Sequence, residues 1–154
     1  MNRFFVEPDR ITGKSVAFPA DLAHQILHVL RLKDGDCVEV LDNLGHVYQV
    51  ALVLHEEDKQ VSGEIQGDLP LTSEPKVHIT LYFGLSNREK IEWILQKGTE
   101  VGVSAFSPFI SQRTLLRSTA LSENRWSRWE KIIKEAAEQS GRGRLPELNS
   151  PKAL

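Results

Sequence analysis

The sequence holds one cysteine, Cys37, among its 154 residues. A single thiol excludes an intrachain disulfide and any cysteine-based metal site, and a reducing cytoplasm is the expected compartment. Long apolar runs are also missing. None approaches the roughly 18–20 residues that a membrane-spanning helix needs, so no membrane partner is expected. The opening residues, Met1 to Pro8, contain no extended apolar stretch of the secretory-signal kind. The five histidines, His24, His28, His46, His55 and His78, show no spacing backed by cysteine or acidic ligands. His24 and His28 lie four apart, but no glutamate follows His24 to complete a His-Glu-x-x-His motif. No metal is expected. Ser-His-Asp arrangements, phosphate-binding glycine loops, internal repeats and low-complexity tracts are lacking too.

What is present supports an ordinary core. Apolar residues make up 40% of the chain, enough to argue against extensive disorder. The net charge of −2 hides an asymmetry. Residues 1–72 carry six Lys or Arg against twelve Asp or Glu, a net of −6, whereas residues 73–154 carry thirteen against nine, a net of +4. Such a difference is the pattern of two units, the basic one suited to an anion such as RNA. Two solvated surfaces that merely differ would read the same way.

Short β-prone runs fill the first half: Arg3–Val6, Ser15–Phe18, Cys37–Leu41, Val47–Leu54 and Val61–Ile65. Asp42-Asn43-Leu44-Gly45 is a turn signal, so a hairpin joins the runs on either side. One helix interrupts them, with Asp21 as a candidate N-cap and Ile26, Leu27 and Leu30 as its apolar stripe. A small β-barrel over residues 1–70 is expected. The composition of Gly67–Pro75 marks a linker. Beyond it, the alternation of Val77, Ile79, Leu81 and Phe83 predicts a strand. Ile91, Ile94, Leu95 and Val101 then predict a helix, with Gly102 as C-cap. Ala105–Ile110 reads as a second strand, with Pro108 marking its end or an edge. Ser122 is a candidate N-cap for a helix to about Gln139, whose stripe is Trp126, Trp129, Ile133, Ala136 and Ala137, closed by Gly141. Strand–helix–strand–helix over 75–154 implies a parallel sheet, and the fold class is α+β.

Several polar residues stand out. Lys97 and Glu100 are three apart and share a helix face. Their spacing alone reads as an ordinary ion pair on a solvated face. Arg88 and Lys90 open the same helix, where cations oppose the helix dipole and phosphate binding could offset the cost. Arg113 follows the second strand, at the edge where α/β sheets bind ligands. Glu138, Gln139 and Arg142 cluster at a helix end. Arg142 and Arg144 could there satisfy the last carbonyls, or Arg142 could grip a phosphate or carboxylate. Arg3, Arg10, Arg31 and Lys33, with Lys14, are the basic residues of the acidic half and could form a local patch for RNA backbone. Trp126 and Trp129 lie on an apolar stripe, which favours core or interface over base stacking.

Arg31 in Val29-Leu30-Arg31, Lys90, Gln96-Lys97, Glu100-Val101-Gly102-Val103, Arg113 and Glu138-Gln139-Ser140-Gly141-Arg142 with Pro146 closely resemble the RsmE family of bacterial 16S rRNA uridine-N3-methyltransferases. Order and spacing agree across nearly the whole chain. The resemblance implies a PUA-like RNA-binding domain followed by a SPOUT α/β domain with a trefoil knot. It also implies a homodimer, S-adenosylmethionine as methyl donor, and the small ribosomal subunit as partner. Arg3, Arg10, Arg31, Lys33, Arg88, Lys90, Lys97, Arg113 and Arg142 become candidate RNA contacts, with Glu100, Glu138 and Gln139 as a substrate-side polar cluster; under the resemblance Lys97 would contact RNA phosphate or support the donor pocket. The family's Gly-Pro-Glu-Gly-Gly and Leu-Arg-x-Glu-Thr-Ala segments do not occur in residues 1–154. An incomplete form without the knot region and most of the donor pocket is therefore expected. No general base can be assigned. A non-catalytic RNA-binding module is the alternative reading.

Overall fold

The computed structural model describes residues 1–55, 59–112 and 122–153, which form two compact units, Met1–Ser73 and Glu74–Leu154. The first unit is one six-stranded sheet. Its strands are β1 (Arg3–Phe5), β2 (Ile11–Thr12), β3 (Ser15–Ala17), β4 (Cys37–Leu41), β5 (Val47–His55) and β6 (Gln60–Leu69), in the order β1-β4-β5-β6-β3-β2. Only β1 and β4 pair in parallel; the other neighbours are antiparallel. Val38 and Val40 of β4 and Val50 and Leu52 of β5 turn to one face, as period-two alternation requires. There they meet Phe4, Val16, Phe18, Val61 and the helix residues Leu22 and Ile26.

The sheet curls into a half-barrel rather than the expected barrel. Its end strands, β1 and β2, each pair on one side only among the described residues. Two local expectations also change. Pro19, not Asp21, holds the N-cap of helix α1 (Ala20–His24), and Asp21 lies in the first turn, where its charge suits the helix dipole. Gly67–Leu69 belong to β6, paired with Val47–Gln49, so the linker begins later than its composition suggests. After α1 the helix widens into one π turn, Gln25–Val29, with Leu30 as C-cap and Arg31 following at φ 54°. The Asp42 hairpin turn forms as read. Asp42 is buried and accepts hydrogen bonds from the Leu44 and His46 N–H groups at 2.8 and 3.0 Å.

The second unit comprises β7 (Thr80–Gly84), α2 (Arg88–Glu100), β8 (Ala105–Ile110), α3 (Glu123–Ser140), β9 (Glu147–Leu148) and β10 (Lys152–Ala153). All three partners of β8 run parallel to it. One apolar cluster joins Phe83, Ile91, Leu95, Val103, Phe106, Trp129 and Ile133. The Asn87 side chain caps α2 by accepting from the Lys90 N–H at 3.0 Å. Gly141 closes α3 at φ 78°, a left-handed conformation that glycine adopts without steric cost. Trp126 lies at the edge of its stripe, half-buried, and donates from Nε1 to Glu130 at 2.8 Å.

The alternation starting at Val77 overstates the strand. The pairing of β7 begins only at Thr80, opposite Ala105, because residues 101–104 are still leaving α2. Val77 and Ile79 are exposed, and the Ile79 carbonyl instead receives the N–H groups of Ser104 and Ala105 at 2.8 and 3.1 Å. Val101 is 78% exposed rather than part of the buried stripe, since it lies one residue past the last helical residue. Pro108 is not at a sheet edge. It sits within the central strand, and its backbone faces the same flank as Phe106, whose carbonyl accepts from Asn149 N–H at 2.9 Å. On that flank β9 ends at Leu148 and β10 starts at Lys152. The missing donor of Pro108 therefore falls opposite the interval between them, where no ladder bond is needed.

Candidate functional site

The polar residues singled out in the second unit fall into three groups. The first is built on Arg142, which is 4% exposed. Its guanidinium donates to Glu74 from Nη2 at 3.0 Å and from Nε at 3.4 Å, and from Nη1 to the carbonyls of Val103 and Thr99. Glu74 also accepts from the Gly143 and Arg144 N–H groups at 2.8 and 3.1 Å. Burial acts to raise the Glu74 pKa, but the hydrogen bonds from Arg142, Gly143 and Arg144 and the charge of Arg142 outweigh it, and the carboxyl lies below its ordinary value. This geometry does not fit Arg142 as a grip on phosphate or donor carboxylate. Its forked donors are already committed, and they tie the exit of α2 to the exit of α3.

The second group lies on the outer face of α2. Lys97 donates to both carboxylate oxygens of Glu100 at 3.0 and 2.8 Å, and both side chains stay partly exposed. Lys90 is exposed and makes no ion pair among the described residues. The third group joins α2 to α3. Glu92 accepts from Arg88 at 2.6 Å and from Arg128 at 2.5 and 2.7 Å. Hydrogen bonds from Arg128 and then Arg88 hold its pKa at about 2. Arg88, an expected RNA contact, is thus engaged in an ion pair at the surface.

Glu92→Gln is expected to cost at most about 1 kcal/mol, because the cluster is largely solvent-screened. The folded pKa lies below the unfolded value of about 4.3. The stabilisation is therefore present above that unfolded value and lost as pH falls toward about 2. Thermal melts between pH 7 and pH 3 check this. A variant whose acid sensitivity matches the parent would refute it.

The other expected contacts are spread out. Arg3 pairs with Glu39, and Arg10 lies 3.7 Å from Glu7. Arg31, Lys33 and Lys14 are exposed. Glu138 is half-buried and Gln139 exposed at the end of α3. Arg113 lies outside the described residues. No group of three or more metal-ligating side chains occurs among the described residues, nor does any helix there have the length and apolarity to cross a membrane. Two contributors escaped the sequence reading. Glu74 sits in the presumed linker, with no local pattern to mark it. Glu92 was legible from its four-residue spacing to Arg88.

These features define a mixed α+β protein, in which a mostly antiparallel half-barrel accompanies a parallel α/β unit with a charged helix surface. The chain belongs to the RNA methyltransferase domain family, whose profile matches residues 72–154. It is 36% identical over 152 residues to ribosomal RNA small subunit methyltransferase E of Synechocystis, covering 97% of this chain and 47% of that protein. Against the Bacillus subtilis protein of the same name it is 32% identical over 159 residues, covering 96% of this chain and 59% of that one. A crystal structure of ribosomal RNA small subunit methyltransferase E from Neisseria gonorrhoeae, bound to S-adenosyl methionine, superposes with a TM-score of 0.88 at 28% identity. That match covers 99% of this chain and 63% of the other. The RsmE resemblance is borne out, and the chain spans about half to three fifths of the length of these relatives.

Proposed function

We propose that the chain is the RNA-engaging portion of an S-adenosylmethionine-dependent methyltransferase that modifies N3 of a uridine in 16S rRNA. In this reading the half-barrel is a PUA-like RNA-binding domain, and the second unit is the first part of a SPOUT domain acting as a homodimer in the cytoplasm. The single observation that carries it is agreement in both sequence and fold along nearly the whole chain with relatives named ribosomal RNA small subunit methyltransferase E; the uridine N3 target is the reading's own addition.

Methyl transfer to uracil N3 requires loss of its proton and alignment of the nitrogen with the methyl carbon. Positioning and donors aimed at the developing oxyanions supply most of the gain in such a step. Lys90, Arg31 and Lys33 are exposed and Lys97 is partly so; all four are suited to holding phosphates, which sets register without reading sequence. The methyl donor is a different matter. Arg142, the candidate for its carboxylate, is already paired with Glu74. That same observation favours a second reading, an RNA-binding module without catalysis of its own.

Calorimetry with S-adenosylmethionine, for this chain and for one extended to the relatives' full length, separates the two readings. Label transfer to unmodified 16S rRNA would be followed in parallel. Transfer to a uridine N3 by the extended form supports the first reading. RNA binding without donor binding or transfer by either form supports the second. Failure of both forms to bind 16S rRNA would refute both.

A further inference from the structure

Among the described residues, the largest exposed aromatic ring on a helix is Trp93, 63% exposed on α2. Its neighbours on the helix surface, three and four residues away, are Glu89, Lys90, Gln96 and Lys97. All four are polar; Glu89, Lys90 and Gln96 are exposed, and the Lys97 side chain is 43% exposed. The opposite face of the helix carries the buried Ile91 and Leu95. Trp93 is therefore not the rim of the core. Nor does it continue an apolar stripe, as a residue seated in a helix–helix interface would.

We infer that Trp93 is a stacking platform for an unpaired base of the RNA, with Lys90 and Lys97 holding the phosphates on either side. The inference rests on the RNA-binding reading above and adds a contact to it. A tryptophan face accepts any base, whereas cations beside it follow the backbone. Lys90 and Lys97 are seven residues apart, about 10 Å along the helix axis, with Trp93 between them. Both lysine stems are long and flexible, so their ammonium groups can close this span onto the two phosphates that flank one nucleotide. Lys90 makes no ion pair among the described residues, and the Lys97–Glu100 pair is partly exposed and easily exchanged. Helix α2 itself carries three Lys or Arg and three Glu, and the half of the sequence containing it has a net charge of +4, so the charge around the helix favours a nucleic acid over a basic partner.

The test is fluorescence anisotropy of a dye-labelled oligouridylate with the full chain and its Trp93→Ala, Trp93→Leu, Trp93→Phe and Lys90→Gln variants. Sedimentation of each protein runs alongside. Trp93→Ala is expected to weaken binding by about 5- to 150-fold. Trp93→Leu should weaken it similarly, because it keeps apolar area but loses the ring, and Trp93→Phe should retain part of the affinity. Lys90→Gln should lower the slope of log affinity against log salt by about 0.7, and Trp93→Ala should leave that slope unchanged. Parental affinity in Trp93→Leu would overturn the inference, as would a Trp93→Ala variant that breaks up a self-associated species while binding RNA normally. If the parent binds RNA and Trp93→Ala binds equally well, only this inference falls. If the parent binds neither the oligonucleotide nor 16S rRNA, the reading beneath it falls too.

Discussion

Arg142→Ala is expected to destabilise the second unit by about 3–5 kcal/mol, the usual result of removing one partner from a buried ion pair. The loss exceeds that of a surface pair because the Arg142 side chain is only 5% exposed and its partner Glu74 is 22% exposed. The substitution also strips a donor from the carbonyls of Thr99 and Val103. A small domain has roughly 5–15 kcal/mol in total, so the variant would be largely unfolded near physiological temperature. Arg142→Lys should rescue little, since an ammonium cannot reproduce the planar fork. Urea denaturation followed by circular dichroism measures the effect, and a loss below about 1 kcal/mol would sink the claim. The pH dependence has a definite sign. The folded pKa of Glu74 lies below its unfolded value, so its contribution is present above the unfolded pKa and lost as pH falls through the folded one. Glu74→Gln should accordingly flatten the acid limb of the stability curve.

Gly98→Val is the second large effect. A Cβ at this position would lie 2.7 Å from Phe106 Cε1 and 2.9 Å from its Cζ. Phe106 is fully buried on the central strand and cannot swing aside into solvent. Helix α2 thus rests on β8 at a distance only glycine allows. Overpacking of this kind costs about 1–3 kcal/mol, and a β-branched residue should reach the upper end. Alanine would recover part of the cost, because it gains roughly 1 kcal/mol of helix propensity over glycine. Valine and alanine variants with unchanged unfolding midpoints would show that the helix can lift from the sheet without penalty.

Patterns of local origin were the legible ones. Cys37–Leu41 and Ala105–Ile110 form strands with the bounds their composition suggests, and Gly141 ends its helix in the left-handed conformation. Branched residues at alternate positions and a glycine after an amphipathic run act over a few residues, so a sequence displays them directly. Whether the six-stranded sheet closes depends on how its end strands meet, and no local run encodes that. Strands β9 and β10, two residues each, are too short to carry a period. The fate of Arg142 was hidden for the same reason: its partner lies 68 residues earlier, in a segment that reads as linker. On the site itself, the cation positions were legible. Which of them are engaged was not, because burial and partner choice are set by tertiary packing.

Pro108 has a consequence for how the parallel sheet finds its alignment. A strand in such a sheet can slide by two residues and still present the same side chains to the same face, so side-chain burial alone opposes that error only weakly. Here the central strand carries one position that can never donate. In the native pairing that position meets the interval between Leu148 and Lys152. Slid by two residues in either direction, it would stand beside a strand carbonyl with nothing to offer it. One imino acid thus acts as an indexing mark, admitting the correct register and penalising its nearest competitors.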